Sequence, residues 1–134
     1  MPLKPGAREL LHRLSQEDWG IGLASSTRRV LVQSQLEGVG LWHYFDQVVT
    51  GDQLERSKPA PDIYLMACRT LGVAPEQAWA VEDSYNGIRS SAAAGMRPIM
   101  VPDLLPPTPE MRQLSHIILP DLTAVEDYLL GGAT

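Results

Sequence analysis

The chain has 134 residues, 44% hydrophobic and 20% charged, with a formal net charge of -5. That size suits one domain, residues 1–134, with a core of its own. The acidic balance, with no basic cluster beyond Arg28-Arg29, argues against nucleic acid as a partner. No apolar run reaches the ~20 residues of a membrane span and no signal-peptide pattern is visible. The single cysteine, Cys68, excludes an internal disulfide and fits a reducing cytoplasm.

Pro2, Pro5 and Gly6 mark a leading loop. Leu10, Leu11 and Leu14 then recur at helical spacing in Arg8 to Leu14, until Asp18 and Gly20 break the pattern. Ile21 to Ala24 reads as a short buried strand running into Ser25-Ser26-Thr27. Arg29 to Leu36 reads as a helix punctuated by Gly38 and Gly40, and Phe45 to Thr50 as a second strand closed by Gly51-Asp52. In Ser57-Lys58-Pro59-Ala60-Pro61-Asp62 the residue before proline is pushed from helical angles, so Lys58 is expected in an extended approach to a helix. Proline and Asp62 suit that helix's first turn, and it should run from Ile63 to Leu71 and stop at Gly72.

The run Ala78-Trp79-Ala80-Val81 reads as a strand ending in Glu82-Asp83, followed by a helix through Ser90 to Ala94 with Gly95 at its C-cap. Pro98 to Pro102 is a further strand. Pro102, Pro106, Pro107 and Pro109 mark a loop, Ile117 to Leu119 a late edge strand, and Thr123 to Leu130 a closing helix before Gly131-Gly132. Such alternation implies a parallel sheet covered on both faces.

In open parallel sheets, ligands bind beyond the carboxyl ends of the strands. Ser25-Ser26-Thr27 offers hydroxyls and N–H groups near a helix start, a suitable anion cradle. Lys58 offers a point positive charge for a phosphate, and Glu82 and Asp83 are hard ligands that suit Mg²⁺. Converging, the three would form a Mg²⁺-assisted phosphoryl-transfer site. Each has a plainer use. Ser25, Thr27, Asp83 or Ser84 would serve as helix caps, Lys58 as a solvated lysine, Arg28-Arg29 as a wetted helix face, and Cys68 as packing.

Leu23-Ala24-Ser25-Ser26, Ser57 to Asp62 and Val81-Glu82-Asp83-Ser84-Tyr85-Asn86-Gly87-Ile88 resemble the second, third and fourth motifs of the haloacid dehalogenase-like hydrolases. The branch most resembled is that of β-phosphoglucomutase and related phosphatases. Ala92-Ala93-Ala94-Gly95-Met96 and the Phe45 to Gly51 stretch are also similar to that branch. The resemblance implies a Rossmann-like three-layer α/β sandwich with a mainly parallel sheet. It implies that Ser25, with the Ser26 N–H, binds the transferring phosphoryl group and that Lys58 bridges this group and the nucleophile. Asp83 would ligate Mg²⁺, with Glu82 a direct or water-mediated second ligand. The implied substrate is a small phosphorylated metabolite, in a phosphatase or mutase reaction.

The same resemblance calls for a first motif, Asp-x-Asp-Gly-Thr, carrying the nucleophile and general acid/base, and for a substrate-selecting cap inserted after it. Neither is in this sequence, and neither Asp18 nor Asp46 follows a buried strand with that motif. The chain alone is therefore expected to have little or no phosphatase activity, and its Mg²⁺ site is expected to be weak or absent. A non-catalytic interaction protein that keeps the fold and an anion site is the alternative, and an unrelated flavodoxin-like domain a third. In the family the missing strand lies mid-sheet, between those ending at Ser25 and Glu82. Four large apolar side chains there would account for about 6–12 kcal/mol, at roughly 1.5–3 kcal/mol each, which rivals a domain's net stability of about 5–15 kcal/mol. Repair by direct pairing of the flanking strands, by a strand from another chain or by association of two copies is expected, with homo-oligomeric association favoured.

Overall fold

The computed structural model describes residues 4–131. Its elements, in order, are α1 (Ala7–Gln16), β1 (Gly22–Ser25), α2 (Arg29–Gly38), β2 (Gln47–Thr50), α3 (Asp62–Leu71), β3 (Trp79–Glu82), α4 (Tyr85–Ala93), β4 (Arg97–Met100), α5 (Pro109–Leu114), β5 (Ile117–Ile118) and α6 (Leu122–Leu130). Three short 3-10 turns lie at Trp42–Tyr44, Gly51–Gln53 and Pro75–Gln77.

Three helices, α3, α4 and α6, end at or next to a glycine. Gly72 and Gly131 take left-handed angles as the C-caps of α3 and α6, and Gly95 does so one residue beyond the C-cap of α4. Helices α4, α5 and α6 start on short polar side chains. Ser84 accepts from the Gly87 N–H, Thr108 from Met111 and Asp121 from Ala124. Helix α5 departs from the expected loop. Its proline occupies the first turn, where no N–H is needed, directly after the Thr108 cap.

Every strand pairing is parallel, but the strands form two sheets: β1–β2, and β3–β4–β5 with β4 in the middle. Side chains alternate across β4. Ile99 joins Leu10 of α1 and Val125 of α6 on one face, while Met100 joins Ile88 of α4 and Met111 of α5 on the other. Along β3, Trp79 faces the α1/α6 layer and Ala80 packs with Ile63, Tyr64 and Ala67 of α3. The three layers are thus helices, sheet, helices, as expected. The sheet itself is split between β1 and β3. Of the three repairs, direct pairing of these two strands is not made among the described residues.

Candidate functional site

The carboxyl ends of β1 and β3 open into one cavity of about 720 Å³ whose lining includes Ser25, Ser26, Lys58, Glu82 and Asp83. All five residues singled out from the sequence therefore border a common space. A second cavity, about 520 Å³, lies at the opposite strand ends and is lined by Asp18, His43 and Asp46 among others. There Asp46 accepts the Ile21 N–H at 2.8 Å, a structural bond far from the rim.

Lys58 approaches α3 through a tight turn. Residues 57–60 close a turn, with the Ala60 N–H donating to the Ser57 carbonyl at 3.0 Å and a cis Lys58–Pro59 peptide. The buried Ser90 hydroxyl of α4 donates to the Ala60 carbonyl at 2.6 Å and fastens this turn to that helix. The Lys58 ammonium then reaches Glu82 Oε2 at 2.7 Å, with side chains only 14% and 10% exposed. Lys58 is thus a held cation, not a solvated one.

The same Glu82 oxygen accepts the Tyr64 hydroxyl. Burial, reinforced by the Glu82 charge, pushes the Tyr64 phenol far above its usual range, so it remains a donor. Gly87 leaves room for this arrangement, since a Cβ there would stand 2.1 Å from the Glu82 carboxylate. Adjacent strand residues point to opposite faces. Glu82 accordingly turns under α4 towards α3, while Asp83 meets Lys4 at 2.5 Å, with Asp103 3.6 Å from the same ammonium.

Among the described residues no group of three or more His, Cys, Asp or Glu side chains is placed to hold a metal ion. Lys58 and Tyr64 both bind Oε2 of Glu82, and Lys4 covers Asp83. To ligate Mg²⁺ as expected, Asp83 would have to leave Lys4, and Glu82 would have to use Oε1 or give up its contacts to Lys58 and Tyr64. Hydrated Mg²⁺ needs only one or two protein carboxylates. Because the Lys4–Asp83 pair is exposed, removing it is a small change. Lys4→Ala is expected to tighten Mg²⁺ binding by about two- to five-fold in isothermal calorimetry. Unchanged affinity would show that Lys4 does not compete there.

At the other side of the rim, the Ser25 hydroxyl accepts the Thr27 N–H at 3.2 Å. Neither residue caps α2, whose N-cap is Arg28 without a side-chain bond. The Arg29 guanidinium is occupied elsewhere, on the Val48 carbonyl at 3.0 Å and over the Trp42 ring at 5.7 Å. The Ser26 loop is fixed by close approach to Gly51, where a Cβ would lie 2.5 Å from the Ser26 carbonyl oxygen. That neighbour is backbone and cannot swing away. Gly51→Ala is expected to lower stability by about 1–3 kcal/mol and to shift the Ser26 and Thr27 amide resonances. Unshifted amides would place the strain elsewhere.

Sequence reasoning did not find Lys4, Tyr64 or Ser90. Tyr64 was visible as a polar tip on an apolar helix face. Lys4 lies 79 positions from its partner, and nothing local announces the contact.

A family model described as Haloacid dehalogenase-like hydrolase matches residues 1–101. Hexitol phosphatase B of Escherichia coli (strain K12) is 36% identical over 121 residues, covering 90% of this chain and 52% of that protein. The crystal structure of CbbY from Rhodobacter sphaeroides in complex with phosphate superposes with a TM-score of 0.81 at 32% identity, covering 90% of this chain and 54% of that one. A HAD phosphatase from Thermococcus onnurineus gives a TM-score of 0.85 at 26% identity, covering 97% and 59%. The chain spans about half the length of the curated relatives it matches.

Proposed function

Because the chain belongs to the haloacid dehalogenase-like hydrolases, we propose that it carries the phosphate-binding half of a phosphoryl-transfer site for a small phosphorylated metabolite, with sugar phosphates the class that its relatives' names suggest. The observation that carries this reading is the Lys58 ammonium, held on Glu82 at 2.7 Å at the mouth of the cavity that Ser25 and Ser26 also line.

Phosphoryl transfer spreads negative charge over the equatorial oxygens, and catalysis is mainly positioning and neutralisation of that charge. Lys58 suits this role because its position is set before substrate arrives. In a partly desolvated site its charge is also felt more strongly than in water. Ser25 would turn its hydroxyl from the Thr27 N–H to donate to a phosphoryl oxygen, assisted by the Ser26 N–H. Tyr64 is a positioning residue that holds Glu82, and through it Lys58.

Among the described residues that line the cavity, neither carboxylate is unpaired. An aspartyl-phosphate route needs a free carboxylate facing the phosphorus. Glu82 and Asp83 are ion-paired, and Asp46 lies at the opposite strand ends. The reading therefore includes little or no hydrolysis by this chain alone. The split sheet favours the second reading, an interaction protein that keeps an anion site.

The test is a titration with inorganic phosphate followed by amide NMR. Saturable shifts are expected at Ser26 and Thr27. Ser25→Ala should weaken binding by about 10–100-fold, the equivalent of losing one hydrogen bond to a charged group. Shifts confined to other surfaces, or none, would end this reading.

A further inference from the structure

The second cavity, at the strand ends opposite the phosphate rim, plays no part in the proposed function. At about 520 Å³ it lies within the usual size of small-molecule sites, roughly 300–1,000 Å³. Its lining carries two carboxylates, Asp18 and Asp46, and three aromatic rings, Trp19, His43 and Tyr44, but no lysine or arginine. The final turns of α1 and α3 reach it through Ser15 and Thr70, and a helix presents negative potential at its carboxyl end. Carboxylates and helix ends therefore act together to make this space favour a cation.

Asp18 stands there against two local preferences. It follows the C-cap of α1 with φ 60, the left-handed region that glycine adopts most easily. The Trp19 N–H donates to the Leu14 carbonyl at 3.2 Å and closes the turn around it. An acid at this end of a helix also opposes the dipole. The ion pairs among the described residues do not include Asp18, so no neighbouring cation offsets these costs. Asp46 accepts the Ile21 N–H with Oδ2, and among the described residues its Oδ1 accepts no hydrogen bond. The tryptophans point the same way. Trp42 has Arg29 over its ring and Trp79 has Arg97, whereas Trp19 has no lysine or arginine over its ring among the described residues.

We propose that this cavity binds a small quaternary ammonium ion, held against Trp19 beside Asp18 and Asp46. A bare metal ion needs a close set of hard ligands. Among the described residues no group of three or more His, Cys, Asp or Glu side chains is placed to supply one. Both carboxylates are exposed, so a compact, strongly hydrated ammonium would gain little by exchanging water for them. A quaternary ammonium is bulky and weakly hydrated, and the faces of aromatic rings attract its spread charge. Leu71 adds an apolar wall for its methyl groups. The site is separate from Ser25 and Lys58 and does not rest on the phosphate reading.

The probe is choline, titrated into the whole chain and followed by NMR. Nuclear Overhauser contacts are expected from its methyl protons to the Trp19 ring, with saturable shifts of the Asp18 and Trp19 amides. The neutral isostere 3,3-dimethylbutan-1-ol keeps the shape without the charge and should bind at least ~10-fold more weakly. Asp18→Asn should weaken choline binding by about five-fold with circular dichroism unchanged, since asparagine also tolerates the left-handed region. Asp18→Gly should lose affinity as well, yet raise the melting temperature, because both local costs disappear. In both variants the phosphate-induced shifts at Ser26 and Thr27 should stay as in the parent. The proposal is overturned if the isostere binds as tightly as choline, or if Asp18→Asn leaves the affinity unchanged. Choline shifts confined to other surfaces, or none, would overturn it too.

Discussion

Lys58→Met is expected to destabilise the protein by about 2–4 kcal/mol, somewhat less than the ~3–5 kcal/mol cost of stranding one member of a fully buried ion pair, because this pair is part-buried. The 10% exposure of Glu82 decides the magnitude, since an exposed pair would contribute no more than about 1 kcal/mol. After the substitution Tyr64 alone would face the carboxylate, and one neutral donor does not replace an ammonium. Gly87 closes the escape route, because the carboxylate already rests against it. The loss is a large share of a typical domain's stability of about 5–15 kcal/mol. It should appear in urea denaturation as a lower midpoint at unchanged slope. Lys58→Met/Glu82→Gln should recover most of it by removing the stranded charge. A single variant within about 1 kcal/mol of the parent, or a double variant as unstable as the single, would mean that Glu82 finds water or another partner.

The pair also shows where sequence reading succeeds and stops. A carboxylate at the end of a buried strand and a lysine before Pro59 were legible, and so was their proximity once the family motifs were matched. Their mutual bond was not, because it depends on Ser90 holding the 57–60 turn from α4. The helices were legible from glycine caps and apolar spacing, and their ends moved by only a residue or two. Helix α5 was lost because prolines were read as breakers, although Pro109 follows a good cap. The break between β1 and β3 has no local signature. A strand's own residues state that it will be buried but not which strand lies beside it. Only the resemblance, with its missing first motif, indicated a gap there.

The second large effect is on rate. Pure chain is expected to turn over a simple phosphomonoester such as p-nitrophenyl phosphate, with Mg²⁺ present, far below its full-length relatives. In a serine protease, loss of the nucleophile alone costs on the order of 10⁶-fold in kcat, and a comparable deficit is expected here. Lys58, Ser25 and the Ser26 N–H would stabilise charge, but the two described carboxylates that line the cavity, Glu82 and Asp83, are both ion-paired. Neutralisation without a nucleophile leaves only water, whose attack needs a base that Glu82 cannot supply while it holds Lys58 and Tyr64. The outcome that would sink this is Mg²⁺-dependent turnover by pure protein that disappears in Asp83→Asn. Such a result would mean that Asp83 leaves Lys4 and binds metal unaided, and that an attacking group is recruited from this chain.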